Sequence, residues 1–149
     1  MTDPFVRALF LAQLASTLYM TGVIWFVQRV QYPLYANIGS REFPLYEQRH
    51  RASIFWIVGP PMLVEGASGF ALLWFTPIGV PIWTLQMGVA LLVVIWLSTI
   101  FLQVPCHVAL SQAYDERLQR RLVATNWLRT VAWSLRGALV LSATWSALA

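Results

Sequence analysis

Four long apolar stretches constrain the fold of this chain more than any other feature of its sequence. They cover residues 5–30, 52–75, 81–104 and 122–148. Each is long enough to cross about 30 Å of hydrocarbon as an α-helix, at about 1.5 Å per residue. Only 11% of the residues are charged, against about 25% in an ordinary soluble domain. The sequence therefore predicts a single all-α domain over residues 1–149, an integral membrane antiparallel four-helix bundle that contacts lipid.

The second stretch contains the segment Gly59-Pro60-Pro61. Proline removes a backbone hydrogen-bond donor and crowds the preceding helical turn, so we expect a kink at this point. Inside a membrane, the carbonyl groups that prolines free must find partners on neighbouring helices or water.

Arginines between the stretches set the predicted orientation. All ten basic residues are arginines. Seven lie near the first and third connections: Arg29, Arg41, Arg49, Arg51, Arg117, Arg120 and Arg121. Because positive residues favour the cytoplasmic side, we expect these connections in the cytoplasm and both termini outside, in a cell (inner) membrane. This explains the net charge of +4 without a nucleic-acid partner.

Polar residues concentrate at the predicted cytoplasmic end, where the first and third helices finish and the second and fourth begin. The set comprises Gln28, Gln31, Tyr32, Tyr46, Glu47, His50, Gln103, His107 and Asn126. Both histidines of the chain belong to it. We therefore expect a functional pocket in this half of the bundle.

The fourth stretch carries polar residues on one helical face. Asn126, Arg129 and Arg136 are separated by three and seven residues, spacings that place side chains on the same face of a helix. An arginine at membrane depth costs about 2.5–3.5 kcal/mol, so this face should point into the bundle. Glu65 lies at nearly the depth of Arg136, roughly 20 Å from the cytoplasmic helix ends. We predict a structural ion pair between them.

Arg129 has no acidic partner at its own predicted depth, roughly 12 Å from the same end. It would then bind an anionic ligand group, a developing oxyanion, or carbonyls freed by the two prolines. The alternative is that its side chain extends towards the lipid headgroups.

Three kinds of chemistry fit the two histidines. Glu47, His50 and His107 provide the two imidazoles and one carboxylate of a non-haem iron site. Two histidines could instead ligate one haem. Without a metal, His50 would act as a general base while Asn126 and Arg129 hold an oxygen that gains negative charge. None of the cofactors is favoured.

Two short segments resemble a known family. Gln103-Val104-Pro105-Cys106-His107-Val108-Ala109-Leu110 and Asn126-Trp127-Leu128-Arg129-Thr130 are similar to the ending of the third span and a segment of the fourth in the anthrone-oxygenase-like family of small four-span membrane proteins. The resemblance implies oxidation of anthrone-like compounds with dioxygen and no established cofactor. The resemblance supports Pro105, Asn126 and Arg129 as site positions. This sequence departs from the family at His107 and Gln103, where asparagine is common.

The leading hypothesis is a membrane oxygenase or oxidoreductase acting on a lipophilic aromatic or quinone-like molecule. Its predicted catalytic residues are His50, Arg129, Asn126 and His107. Its predicted substrate-binding residues are Tyr46, Gln31, Gln103 and Trp127.

The competing class is a non-enzymatic membrane protein, either a transporter protomer or an accessory subunit of a larger complex. Four spans without an inverted repeat argue against a self-contained transporter. Small residues from Gly66 to Gly69 offer a surface for a partner helix or a second copy. Membrane lipid is a partner in every case.

Overall fold

The computed structural model describes residues 3–148, with side chains described for residues 3–146. Over that range the chain is helical, without strands, and forms four long helices. We name them α1 (Pro4–Asn37), α2 (Phe43–Trp74), α3 (Ile82–Leu110) and α4 (Glu116–Leu148). Helix α1 packs against α2 and α4, and α3 packs against α4 and α2. The all-helical prediction is therefore confirmed.

The helix ends follow local sequence signals. The Asp3 side chain accepts a hydrogen bond of 2.8 Å from the Phe5 backbone N–H, and Pro4 begins α1, where its missing N–H costs nothing. The short connection between α2 and α3 contains Gly79 with a φ of 84°. A side chain disfavours that backbone conformation, so glycine suits this turn.

Three of the helices, α1, α2 and α3, are long and apolar enough to cross a membrane. In the described part of the chain, α4 does not reach the same hydropathy. Polar side chains lower its average, among them Asn126, Arg129 and Arg136, all of which are buried. The structure thus supports a membrane protein with three candidate spanning helices.

The helices extend beyond the predicted stretches at one end of the molecule. Helix α2 begins at Phe43 rather than at residue 52, and α3 continues to Leu110 rather than ending at residue 104. Residues expected in a connection, from Tyr46 to Arg51, are therefore helical. Phe43 is fully buried and packs against the rings of Tyr35 and Tyr114, which extends α2 beyond its apolar stretch.

Helix α2 runs through Pro60 and Pro61 without interruption. A proline at position 61 leaves the carbonyl of Ile57 without its usual intrahelical donor. The Tyr19 hydroxyl of α1 donates to this carbonyl at 3.4 Å. A neighbouring helix thus supplies a partner for a carbonyl that proline frees, as the sequence predicts.

Helices α1 and α3 share an irregular feature. Each changes to π-helical geometry for five residues, over Val27–Gln31 and over Thr99–Gln103. A proline, Pro33 or Pro105, follows each segment after one intervening residue. A π-helical turn accommodates an extra residue and turns the side chains that follow it around the helix axis, and such turns occur often at functional sites.

Candidate functional site

His107 lies at the centre of a buried hydrogen-bonded chain. Its Nδ1 is 2.5 Å from Oε1 of Glu47, and its Nε2 is 2.8 Å from the Tyr32 hydroxyl. Glu47 and Tyr32 are buried, and the side chain of His107 is 13% exposed. We call Tyr32, Glu47 and His107 the relay. Three helices contribute to it, since Tyr32 belongs to α1, Glu47 to α2 and His107 to α3.

His50 lies beside the relay, one helical turn after Glu47. Its Nδ1 is 2.7 Å from Nε2 of Gln31. The rings of Tyr46 and His50 are parallel within 8°, with centroids 6.4 Å apart. The His50 and His107 ring centroids are 5.7 Å apart. The structure therefore brings both histidines together with Gln31 and Tyr46, all four named by the sequence.

An apolar cleft leads to this region between α1 and α2. Its volume is about 410 Å³. It is lined by Gly22, Val23, Phe26, Val27, Gln31, Ile54 and Ile57. Gln31 has the only side-chain hydrogen-bonding group in this lining, and it is the residue that contacts His50. The cleft thus offers an apolar volume with one polar end.

Arg129 and Asn126 form a second cluster, deeper along α4. Nε and Nη2 of Arg129 donate to Oδ1 of Asn126 at 2.9 and 2.5 Å, and Nη1 donates to the Thr99 hydroxyl at 3.2 Å. The Asn126 amide donates to Oε1 of Gln28 at 2.8 Å. The guanidinium carbon lies 5.9 Å from the Trp133 ring centroid. Side chains of this protein therefore satisfy Arg129 without an added anion.

The two clusters meet at Tyr32. The Tyr32 hydroxyl is within electrostatic and hydrogen-bonding range of Arg129, while it also contacts His107. Arg129 is thus coupled to the relay through Tyr32. The sequence predicts Arg129 and His50 in one pocket, and the structure connects Arg129 to the relay instead.

Glu65 and Arg136 form the ion pair that their depths predict. Nε of Arg136 donates to Oε1 of Glu65 at 2.9 Å, and both side chains are buried. The Thr17 hydroxyl donates to Oε1 at 2.9 Å and the Trp133 indole donates to Oε2 at 3.0 Å. Nη1 of Arg136 also donates to the carbonyl of Gly88. Four helices are tied together at this point.

Two predicted substrate-binding residues, Gln103 and Trp127, bond to or pack against residues other than the histidines. Gln103 is buried and bonded to Ser98 at 2.9 Å and to Thr125 at 3.2 Å. Trp127 is exposed on α4, and its ring packs edge-on against Trp25 with centroids 5.7 Å apart. Neither residue lines the cleft, and their role in substrate binding stays a prediction.

Sequence reasoning placed Tyr32 and Glu47 among the polar residues of this end and gave Glu47 a role only as an alternative metal ligand, and it did not name Tyr35. Tyr35 is fully buried with its ring 5.8 Å from that of His50. The available signal was the repeated pattern of glutamine, one residue and proline in Gln31-Tyr32-Pro33 and in Gln103-Val104-Pro105. It marks the two π-helical segments, after which the polar side chains converge.

The metal alternative named Glu47, His50 and His107. Within the described residues, no group of three or more His, Cys, Asp and Glu side chains has an arrangement that could hold a metal ion. Both ring nitrogens of His107 are engaged, one by Glu47 and one by Tyr32. Metal or haem ligation would need His107 to exchange one of these partners.

Comparison of the chain with protein-family models, with curated proteins and with solved structures finds no match.

Proposed function

We propose that the protein is an integral membrane antiparallel four-helix bundle with α4 as its fourth span. The distribution of residues on α4 supports this. Its exposed side chains are largely apolar and aromatic, among them Leu128, Val131, Leu135 and Leu141. Its charged residues beyond Arg121 are buried. A helix that buries arginines and exposes leucines suits lipid better than water.

The orientation that we propose follows from the exposed arginines. Most of the exposed arginines lie in the first and third connections or at the adjoining helix starts. This is the same end of the bundle at which the two histidines lie. The positive-inside rule then places this end in the cytoplasm and both termini outside, in the cell membrane.

In this bundle we propose an oxidoreductase or oxygenase that acts on a lipophilic aromatic or quinone-like molecule. The observation that carries the proposal is the cleft whose one polar lining residue, Gln31, contacts His50. Its lining is apolar apart from the Gln31 amide, and small-molecule sites are likewise mostly apolar with few polar groups. A flat apolar molecule would enter it from the hydrocarbon between α1 and α2.

His50 is the group that would exchange a proton with the oxygen of such a molecule. The contact between Nε2 of Gln31 and Nδ1 of His50 fixes the orientation of the imidazole ring. An imidazole suits this role because its ordinary titration range includes neutral pH. Arg129 and Asn126, by contrast, act on the relay through Tyr32.

The accessory-subunit alternative depended on the small residues of α2. Gly69 lies against the side chain of Gln13 of α1, and Gly66 lies near Trp96 of α3. These glycines therefore pack within the chain, which weakens their support for a partner helix. Membership of the anthrone-oxygenase-like family stays a proposal. An apolar cleft is what a protein that binds anthrone-like molecules needs.

The proposal is tested with a variant whose added side chain occupies the cleft. Gly22 lines it, and a Cβ added there meets nothing within 4 Å, so Gly22→Leu should fold and occupy the binding volume. Val93→Leu on the exposed face of α3 is the matched control. Binding of a 1,4-naphthoquinone to detergent-solubilised protein is followed by quenching of tryptophan fluorescence.

We expect Gly22→Leu to raise the dissociation constant of the naphthoquinone at least about tenfold, a loss of about 1.4 kcal/mol, while Val93→Leu leaves it unchanged. Equal affinities in all three proteins would place the binding site elsewhere. Oxygen consumption with an anthrone or a naphthohydroquinone as substrate then tests turnover, which His50→Asn should abolish.

A further inference from the structure

Glu47 is a buried acid without a permanent positive partner. Its side chain is fully buried. Within residues 3–146, its only ion pair is with His107, and no arginine pairs with it. Its second oxygen, Oε2, has no hydrogen-bond partner. A buried carboxylate needs compensating charge, and here only an imidazole that gains and loses its charge provides it.

Unpartnered atoms concentrate around this acid. Three buried side-chain polar atoms lack a hydrogen-bond partner in the described part of the chain, and two of them, Oε2 of Glu47 and the hydroxyl of Tyr35, belong to this cluster. The Tyr35 hydroxyl and the Glu47 carboxylate are within electrostatic and hydrogen-bonding range of each other. Buried polar groups are normally paired, so Tyr35 is the neighbour that can donate to the second oxygen of Glu47.

We infer that Glu47 and His107 together form a proton-binding site, with Tyr32 as the switchable hydrogen-bond partner of the bound proton. The bound proton resides on the imidazole, and the carboxylate supplies the countercharge. This site exists whether or not a molecule occupies the cleft, so the inference goes beyond the proposed function.

The proton balance follows from the two hydrogen bonds of His107. In the neutral ring, Nδ1–H donates to Oε1 of Glu47 and Nε2 accepts from the Tyr32 hydroxyl. When a hydronium ion of the solvent gives its proton to Nε2 and leaves as water, the Tyr32 O–H···N bond breaks and an N–H···O bond to the same phenol oxygen forms. The Tyr32 hydrogen then turns away from the ring, towards another acceptor. No other atom changes its bonding.

Access for this proton is available from the histidine side. The His107 side chain is 13% exposed, whereas Glu47 is fully enclosed. The imidazole, which lies three residues before the end of α3, is therefore the accessible member of the pair, and the carboxylate is not. This arrangement suits a site that exchanges protons with solvent while keeping its countercharge in a medium of low polarity, where the attraction is strong.

Several titratable or charged groups face the pair and set its occupancy. They come from α1, α2, α3 and α4 and comprise Tyr32, Tyr35, Tyr46, His50, Cys106 and Arg129. The positive charge of Arg129 opposes proton binding, as does a charged His50. Glu47 contacts the ring directly at 2.5 Å, whereas Arg129 acts across the Tyr32 hydroxyl.

The experiment uses the fact that the chain has two histidines. In a His50→Asn background, ¹⁵N-labelled histidine reports His107 alone, and its ring ¹⁵N shifts distinguish neutral and protonated forms. Spectra of the full chain in detergent are recorded between about pH 5 and pH 9. We expect His107 to take up one proton in this range.

The decisive variant is Glu47→Gln, with the exposed Glu42→Gln as the matched control. At a fixed pH, Glu47→Gln should lower the ratio of protonated to neutral His107 about tenfold or more, while Glu42→Gln leaves it unchanged. An equal ratio in Glu47→Gln would overturn the inference. A His107 ring that stays neutral over the whole pH range in the His50→Asn protein would also overturn it. This second outcome does not depend on whether the Glu47 variant folds.

The same spectra separate this inference from the proposed function. If naphthoquinone binding fails and the proton uptake stands, the proton site survives without the cleft hypothesis. If binding stands and His107 stays neutral, the cleft hypothesis survives without the proton site.

Discussion

Helix α2 carries two buried glutamates whose surroundings differ in kind. Glu65 accepts hydrogen bonds from Thr17, Trp133 and Arg136. Glu47 forms its one ion pair within residues 3–146 with His107, and Tyr35 also lies within its hydrogen-bonding range. The first carboxylate is balanced by a permanent cation and fully bonded, whereas the second is balanced by a group that titrates.

This difference separates scaffold from site. A guanidinium remains charged at any physiological pH, so the Glu65 pair holds α2 against α4 under all conditions. An imidazole does not, so the charge at Glu47 depends on the surroundings. Buried charge that never changes is suited to fixing helix register, and buried charge that changes is suited to chemistry. The two glutamates provide matched sites for testing this.

The largest expected effect is the loss of the fixed pair. Glu65→Gln leaves the buried Arg136 without its countercharge, and breaking a buried pair in this way costs about 3–5 kcal/mol. Unfolding of the purified protein in mixed micelles, followed by circular dichroism against denaturant, measures the change. Glu42→Gln, exposed at the start of α2, is the control and should lie within about 0.5 kcal/mol of the parent. A loss below about 1 kcal/mol would mean that Arg136 finds compensation elsewhere.

A second change tests whether the cost is the unpaired charge itself. Replacing both members, as Glu65→Leu with Arg136→Met, removes the charge instead of exposing it. Such double replacements are often neutral or stabilising, so we expect most of the stability lost in Glu65→Gln to return. The same denaturation measurement compares the single and double variants. A double variant as unstable as Glu65→Gln would show that the hydrogen bonds to Thr17 and Trp133 matter more than the charge.

Glu47→Gln should have a smaller effect on stability than Glu65→Gln. The amide keeps the shape of the side chain and can accept from the His107 ring, so the expected cost is about 1–3 kcal/mol. No permanent charge is left unpaired, since His107 can lose its proton. The comparison is made at one pH in the same micelles. Equal losses at positions 47 and 65 would contradict the division between scaffold and site.

The two glutamates also differ in how far the sequence predicts them. The Glu65–Arg136 pair follows from counting depth along regular helices, since one rise per residue locates both groups. The Glu47–His107 contact does not follow, because it depends on where α2 begins. That start is set by tertiary packing of Phe43 against Tyr35 and Tyr114, which has no local signature in the sequence.

The four helices and the buried face of α4 are predictable from the sequence. Apolar length predicts the four helices, and shared helical spacing predicts that Asn126, Arg129 and Arg136 are buried together. The π-helical segments shift the side chains that follow them, so regular counting fails beyond Gln31 and Gln103. Arg129 and His50 lie on α4 and α2, outside both segments, and the structure places them in separate clusters that meet at Tyr32.

The smallest expected effect concerns Tyr32, through which the two clusters meet. Tyr32→Phe removes one hydroxyl that contacts His107 at 2.8 Å and keeps the ring that packs against Tyr35. We expect a loss of about 0.5–1.5 kcal/mol, less than for Glu47→Gln. In the neutral relay this hydroxyl donates to Nε2 and so favours the unprotonated ring. Its removal should therefore raise the protonated fraction of His107 at a fixed pH, opposite to the effect of Glu47→Gln, in the ¹⁵N spectra of the His50→Asn background. A change in the same direction for both variants would show that Tyr32 stabilises the bound proton instead.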